Sequence, residues 1–290
     1  MALSLPTNNN KAIFACMKIS IIIPTYNRAD LLKICLEKLT PEVQDITASE
    51  YEIIVTDDSA NDESRQMIDV NFSDRIKWIK GPQKGPASNR NNGSKIAQGE
   101  WLMFIDDDCI PDKILIKCYL DAIKNNPETI AFEGAIRVDR PKRHFLEESP
   151  INEQGDCFWS CNIMIKKDYY NNVLHGFDEN FPFACEDVDI YARIKKDGRN
   201  AVFVKDAFVI HPWRIQNNFV EKVRLAIISH KYLYSKHPEL FKAKPLRKRI
   251  RSELRFYLKD VLLHIIPYRG RGVITFIKAH IITNRENKSM

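Results

Sequence analysis

The sequence predicts an α/β domain with a mostly parallel central sheet, and three observations carry that prediction. Short apolar runs alternate with helical patterns through the first 125 residues, and several of these runs end in polar, chemically useful residues. The most apolar short segment runs straight into three aspartates, "WLMFIDDDCIP" at 101–111. Crowded carboxylates repel one another and lose hydration on burial, so a fold that keeps them at the rim of its core is expected to supply a cation.

The elements follow in order. Residues 1–16 are polar and Asn-rich in the middle and read as a loose N-terminal extension, with Met17 a second candidate start directly before the first strand. "KISIII" (18–23), "YEIIVT" (51–56), "IKWIK" (76–80) and "WLMFI" (101–105) are rich in Ile, Val and aromatics and read as strands. Segments 30–39, 63–70, 88–98 and 113–124 have helical spacing. The resulting β-α-β-α-β-α-β order calls for a parallel sheet covered on both faces, with ligands bound beyond the strands' carboxyl ends. "CNIMIKK" and "AFVIH" are further strands. "CEDVDIYARIKKDG" (185–198) is a helix with Ile190, Tyr191 and Ile194 on one face and Gly198 as its stop.

Composition narrows the function. With 290 residues, 44% of them hydrophobic, the chain can bury a sizeable core. The seven cysteines, at 16, 35, 109, 118, 157, 161 and 185, are scattered and odd in number, which suits free thiols in a reducing compartment better than a zinc site. No apolar run reaches the ~20 residues of a membrane span and no signal peptide is seen, so a cytoplasmic location is expected. There is neither G-x-G-x-x-G nor a P-loop motif, so a bound phosphate would need a metal and basic side chains. Asp106 and Asp108, two apart, would share one side of extended backbone and could face one ligand.

Residue types alone leave alternatives open. Asp57 and Asp58 suit a turn or a helix cap, the triple aspartate suits a solvated loop, and Glu186 and Asp187 suit a helix N-terminus, where the macrodipole favours carboxylates. His211, at a strand end, suits simple packing.

Six segments taken together resemble inverting, nucleotide-sugar-dependent glycosyltransferases of family 2, which have the Rossmann-like GT-A fold. They are "IIIPTYNR" (21–28), "IVTDDSA" (54–60), "GPASNRNNG" (85–93), "WLMFIDDDCIP" (101–111), "GFDENF" with "CEDVDIYARI" (176–194), and "VIHPW" (209–213). They span about residues 18–213 in the family's order. One departure is that the second-strand motif reads Asp-Asp-Ser-Ala where Gly-Ser or Asn-Ser is usual. The resemblance implies a catalytic domain, read as 17–214, and beyond Trp213 the sequence itself turns helical and then basic, read as a C-terminal region over 215–290.

It also implies roles. Thr25 and Asp58 would contact the nucleoside, Asp58 at the base, with Pro24 shaping the turn; Arg90 would lie near the base or phosphates; Asp106 would touch ribose. Asp108 would hold a Mn²⁺ or Mg²⁺ ion bridging the diphosphate, with His211 as a further ligand. Asp187 would be the base that deprotonates an acceptor hydroxyl, and Glu186 would bind the acceptor; Asp189 faces away by helical geometry, and Asp107 is expected to point elsewhere. The implied reaction is a single inverting displacement by a hexosyltransferase, from a nucleoside diphosphate sugar to a carbohydrate or lipid-linked acceptor, in bacterial-type polysaccharide or glycolipid assembly. A nucleotide-sugar-binding scaffold or sensor without catalysis is the alternative.

Between these motifs, Phe158, Trp159, Phe177, Phe181 and Phe183 could wall an acceptor site or pack in the core. Residues 241–290 hold 13 Lys and Arg against 3 Asp and Glu, which leaves residues 1–240 at −4 within a whole-chain charge of +6. Basic and apolar residues alternating in this tail suit a helix on an anionic membrane surface, hence a peripheral position at its inner face; they equally suit a solvated helical cap. Nucleic acid is not an expected partner, because the body is acidic and no reading module is present.

Overall fold

The computed structural model describes residues 18–72, 75–241 and 246–286; the extension over 1–16 and Met17 lie outside the described residues. In chain order the elements are β1 (Ile19–Thr25), α1 (Ala29–Lys38), α2 (Pro41–Gln44), β2 (Tyr51–Asp57), α3 (Glu63–Asn71), β3 (Ile76–Lys80), α4 (Pro86–Ser94), β4 (Trp101–Ile105), β5 (Ile110–Pro111), α5 (Leu115–Asn125) and β6 (Ala131–Arg137). There follow β7 (Glu147–Glu148), β8 (Asn162–Lys166), α6 (Lys167–Asn172), α7 (Glu186–Lys196), β9 (Val202–Ile210), β10 (Arg214–Ile215) and α8 (Phe219–Lys236). The C-terminal region continues with α9 (Leu246–Arg255), a π-helical segment (Phe256–Leu262), α10 (Leu263–Ile265) and α11 (Val273–Glu286).

Eight strands form one sheet in the order β3-β2-β1-β4-β8-β6-β9-β5. The four predicted strands are its parallel half: β1 pairs with both β2 and β4, and β2 with β3. β8 is inserted antiparallel between β4 and β6, and β5 pairs antiparallel with β9, so these two run against the rest. Strands β1, β2 and β4 are buried along their whole length, which is why they read as unbroken apolar runs rather than alternating ones. Two apolar layers cover the two faces, one containing Ile21, Ile53 and Met103, the other Ile22, Ile54 and Phe104.

Helix α4 carries little apolar surface and is held by polar contacts instead. Asn89 spans the ends of β1 and β2: its Nδ2 donates to the Thr56 carbonyl at 2.8 Å, and its Oδ1 accepts from Thr56 Oγ1 at 2.5 Å. Asn91 ties the helix to Phe177 and Tyr170. A side chain at Gly93 would collide with Ile22, so glycine lets the helix lie against β1.

The C-terminal helices pack back onto the domain. Phe145, just before β7, meets Tyr268 at 5.0 Å and Phe276 at 5.4 Å between ring centres. Asp189, fully buried on α7 and away from the acid pair as its helical position predicts, receives Lys236 Nζ at 2.6 Å and His237 Nε2 at 2.8 Å from the end of α8.

Candidate active site

The predicted site residues gather where β1, β2, β4 and β9 end and α4 and α7 begin. Pro24 and Thr25 close β1, buried and in register with Thr56 and Asp57 of β2. Asp58 follows β2, and its carboxylate accepts the backbone N–H groups of Gln83 at 2.8 Å and Gly85 at 3.2 Å. Burial nonetheless outweighs those bonds and raises its pKa. The loop is wrapped so closely that a side chain at Gly81 would strike Asp58 and Asn89.

The three aspartates do not share one side of an extended strand. Residues 107–108 form a turn closed by the Cys109 N–H on the Asp106 carbonyl at 3.1 Å, and the carboxylates meet different sets of partners, with Arg28 shared by Asp107 and Asp108. Asp106 takes Arg90 Nη2 at 2.7 Å. Asp107, expected to point elsewhere, is buried inside the same site, accepting from Thr25 Oγ1 at 2.8 Å and Arg28 Nη1 at 3.0 Å. Burial, opposed by Arg28 and assisted by Asp108, pushes its carboxyl up to about 6. Asp108 lies 3.2 Å from Arg28 Nη1, 3.2 Å from His211 Nε2 and against Arg214.

The cation anticipated from the sequence is thus several cations, and Arg90 is the most deeply placed. It is buried on α4, reaches Asp106 with one terminal nitrogen and Glu186 Oε1 at 2.9 Å with the other, and lies 5.6 Å over the Phe177 ring. Burial alone would lower its pKa, but Asp106 and Glu186 outweigh this and keep it charged.

Glu186 and Asp187 open α7 as predicted. Cys185 before them has φ 77°, a left-handed conformation that costs a non-glycine residue roughly 1–2 kcal/mol and turns the chain into the helix. Asp187 accepts the N–H of Val188 at 2.8 Å and of Ser160 at 3.3 Å. Burial, with the neighbouring negative charge of Asp187, pushes Glu186 up to about 7; burial likewise raises Asp187. Ser160 belongs to a loop held by Glu133 of β6, whose buried carboxylate accepts the N–H groups of Asp156, Cys157 and Phe158 and the amide of Asn152.

Asp108 and His211 fit a divalent ion. Asp108 Oδ1 is buried without a hydrogen-bond partner, and with Cys109 and His211 it brings three ligand atoms within 4.8 Å of one another. Burial would raise Asp108, but His211, Arg214 and Arg28 outweigh it, so the carboxyl ends below its usual value. Burial lowers His211, yet Asp108 outweighs it and leaves the imidazole above its usual value, so a metal would replace a proton there. Burial raises the Cys109 thiol far above its usual range, so carboxylate and imidazole are the donors suited to Mn²⁺ or Mg²⁺.

The aromatic acceptor wall is largely core. Phe158 stacks on Tyr191 at 4.8 Å, Phe177 packs on Phe104 and Phe181 on Tyr232, all three buried. Trp159 is partly buried and Phe183 is exposed. Sequence reasoning gave no role to Arg28, Arg214 or Glu133. Arg28 ends the "PTYNR" segment and Arg214 follows "HPW", so proximity to a motif was the available signal; Glu133 had none.

A fold of this kind, with nucleotide-type strand ends and an acidic turn, defines a GT-A glycosyltransferase domain. The model of the family described as "Glycosyl transferase family 2" matches residues 20–178, more than half of the chain, and the chain belongs to that family. Over 143 residues it is 34% identical to a poly(ribitol-phosphate) beta-glucosyltransferase of Bacillus spizizenii, covering 46% of this chain and 22% of that one. Over 95 residues it is 37% identical to a GalNAc(5)-diNAcBac-PP-undecaprenol beta-1,3-glucosyltransferase of Campylobacter jejuni, covering 31% and 29%. The chain therefore spans less than a third of the length of these relatives. The structure of Staphylococcus aureus TarS 1-349 in complex with UDP-GlcNAc is similar with a TM-score of 0.56, over 91% of this chain and 81% of that one, at 20% identity. Mannosyltransferase PcManGT from Pyrobaculum calidifontis, in complex with GDP-Man and Mn²⁺, also gives 0.56, over 92% and 75%, at 16% identity. At such identities the likeness is one of fold.

Proposed function

We propose that the chain transfers a sugar from a nucleoside diphosphate sugar to an acceptor hydroxyl, with inversion and with a divalent metal, in assembly of a bacterial-type glycan. One observation carries the reading: buried Arg90 joins the first aspartate of the D-x-D motif to the acid pair of α7, 80 positions away in sequence. Donor-binding and acceptor-activating groups thereby belong to one site.

Each residue then has a task. Asp58 and Thr25 hold the nucleoside, and Asp106 the ribose. Asp108 and His211 would hold the Mn²⁺ or Mg²⁺ ion, which supplies positive charge to the diphosphate. Arg28 and Arg214, already on Asp108, would add to that charge. Asp187, whose pKa burial raises although two backbone N–H groups oppose the shift, accepts the acceptor's proton as the hydroxyl attacks the anomeric carbon and the nucleoside diphosphate leaves. Glu186, fixed by Arg90, orients the acceptor.

Two of the similar proteins are named for phosphate-polymer and polyprenyl-diphosphate acceptors, which favours an acceptor of that kind here. The test is nucleotide release from UDP-, GDP- and dTDP-sugars with Mn²⁺, with and without a lipid-linked or polyol-phosphate acceptor. Turnover of one donor, raised by acceptor, is the expected result. Binding of a donor with no turnover under any acceptor would favour the scaffold reading.

A further inference from the structure

The C-terminal helices show leucines and isoleucines where a folded domain ordinarily shows charge. Leu254, Leu258, Leu262 and Ile266 stand at every fourth position, each more than half exposed, with Leu263 and Ile274 beside them also exposed. The opposite face is already used: Phe256, Val261 and Tyr268 are buried, with Phe256 stacked on Phe276 and Tyr268 against Phe145. A regular α-helix overshoots a four-residue repeat by about 40° per step, so such a row would wind around it. The wider turn of the π-helical segment Phe256–Leu262 falls short by a similar angle and brings the row back into line. The result is an apolar ridge of roughly 18 Å from Leu254 to Ile266.

A second row runs beside it. Arg251, Arg255 and Lys259 repeat at the same interval and are exposed, Arg255 and Lys259 each one residue beyond a ridge leucine. Arg269 and Arg271, also exposed, stand past the end of the ridge, and Tyr257, one residue before a ridge leucine, is exposed on the ridge's other flank. An apolar row flanked by cations and an aromatic ring is the chemistry of a helix lying in the interface of an anionic bilayer. Among the described residues no helix is long and apolar enough to cross a membrane, so this surface would lie on a bilayer and not span it.

Its position ties it to the candidate active site. Tyr268 packs on Phe145, the following residues form β7, and β7 pairs with β10, whose Arg214 rests on Asp108. We propose that the ridge Leu254–Ile266 and its basic row form a membrane-docking surface that seats the protein on anionic lipid, linked to the strand ends of the candidate site through Phe145, β7 and β10. The proposal does not depend on sugar transfer, because lipid binding is measured without donor.

The experiment is sedimentation of the full chain with vesicles of phosphatidylcholine alone or with about 30 mol% phosphatidylglycerol, at about 50 and 500 mM salt. Binding is expected to the anionic vesicles, weakened but not abolished by high salt. The pair Leu258→Ser with Leu262→Ser should lose about tenfold or more at both salt levels. Arg255→Glu with Lys259→Glu should lose about tenfold at low salt and little at high salt. Circular dichroism of these surface variants checks the fold, and the single variant Ile266→Ser gives an independent reading of the ridge. No sedimentation of the wild-type chain with anionic vesicles at low salt would overturn the proposal. So would leucine variants that bind like wild type, or a wild-type dimer that the leucine variants dissociate, since the ridge would then belong to a second copy.

Discussion

The catalytic body and the C-terminal helices treat charge in opposite ways. Around Asp107, Asp108 and Glu186 the body buries carboxylates, with Asp106 partly buried beside them, and answers them with cations, one of which, Arg90, is itself buried. Among the described residues, the helices after Leu246 leave Arg251, Arg255, Lys259, Arg269 and Arg271 in solvent and leave leucines there too. Buried charge is costly unless paired and hydrogen-bonded, so the body's network persists only as a set. Exposed apolar rows cost the folded chain little alone but call for another surface. Function is therefore to be sought inward in one region and outward in the other.

Removing the proton acceptor gives the largest expected effect on the inward side. Asp187→Asn keeps the shape and one of the two accepted backbone N–H bonds but cannot take a proton, so kcat should fall about 10²–10⁴-fold with donor affinity nearly unchanged. Glu186→Gln should raise the acceptor KM and spare more turnover. If Glu186→Gln loses far more kcat at saturating acceptor, the base lies one residue earlier.

Arg90→Ala tests whether the carboxylates form a set. It leaves Glu186 and Asp106 without their buried partner, and breaking such a pair typically costs about 3–5 kcal/mol. Urea unfolding at pH 7 should show that loss, and a smaller one near pH 5, where Glu186, pushed up to about 7 mainly by burial, is protonated and no longer needs a cation. An equal deficit at both values would mean the lost guanidinium packing matters more than its charge.

The pH profile follows from the same shift. A carboxyl whose folded pKa is raised binds its proton more readily folded than unfolded. Its protonated form therefore adds stability at low pH, and that stability is lost as pH rises through about 7 for Glu186. Activity is expected to run the other way, because Asp187, also raised by burial, must be ionised to serve as the proposed base. The acidic limb of kcat/KM should lie above the ordinary carboxylate range, and a profile flat down to pH ~4 would contradict this.

A smaller effect is expected at Gly81. A methyl there meets the Asp58 carboxylate, so Gly81→Ala should displace it and weaken nucleotide binding by about tenfold. The melting temperature should fall by only a few degrees. Unchanged nucleotide affinity would remove Asp58 from the base-binding role.

The strands of the parallel half were legible because they are buried on both faces: "YEIIVT" and "WLMFI" can hardly be anything else. The antiparallel insertion of β8 was not, since partner and direction depend on contacts far along the chain. The same limit applied at the site. Asp108 and His211 were readable by type and motif, and the structure brings them to 3.2 Å. That Asp106 would spend its charge on Arg90, and Asp107 on Thr25 and Arg28, depended on a turn at 107–108 that the extended reading of D-x-D did not anticipate. The aromatic residues of 158–183 were ambiguous for a similar reason: sugar walls and cores use the same rings, and three of the five proved to be core.

The most direct test of the central claim, that the acidic turn is a metal-assisted nucleoside diphosphate site, is calorimetric titration of UDP, GDP and dTDP into the full chain with Mn²⁺ and with EDTA. One of the three should bind with Mn²⁺, EDTA should weaken it by at least about tenfold, and Asp108→Ala should abolish the Mn²⁺ effect while leaving the fold intact. Affinity that is the same in EDTA and in Mn²⁺, or unaltered by Asp108→Ala, would contradict the claim.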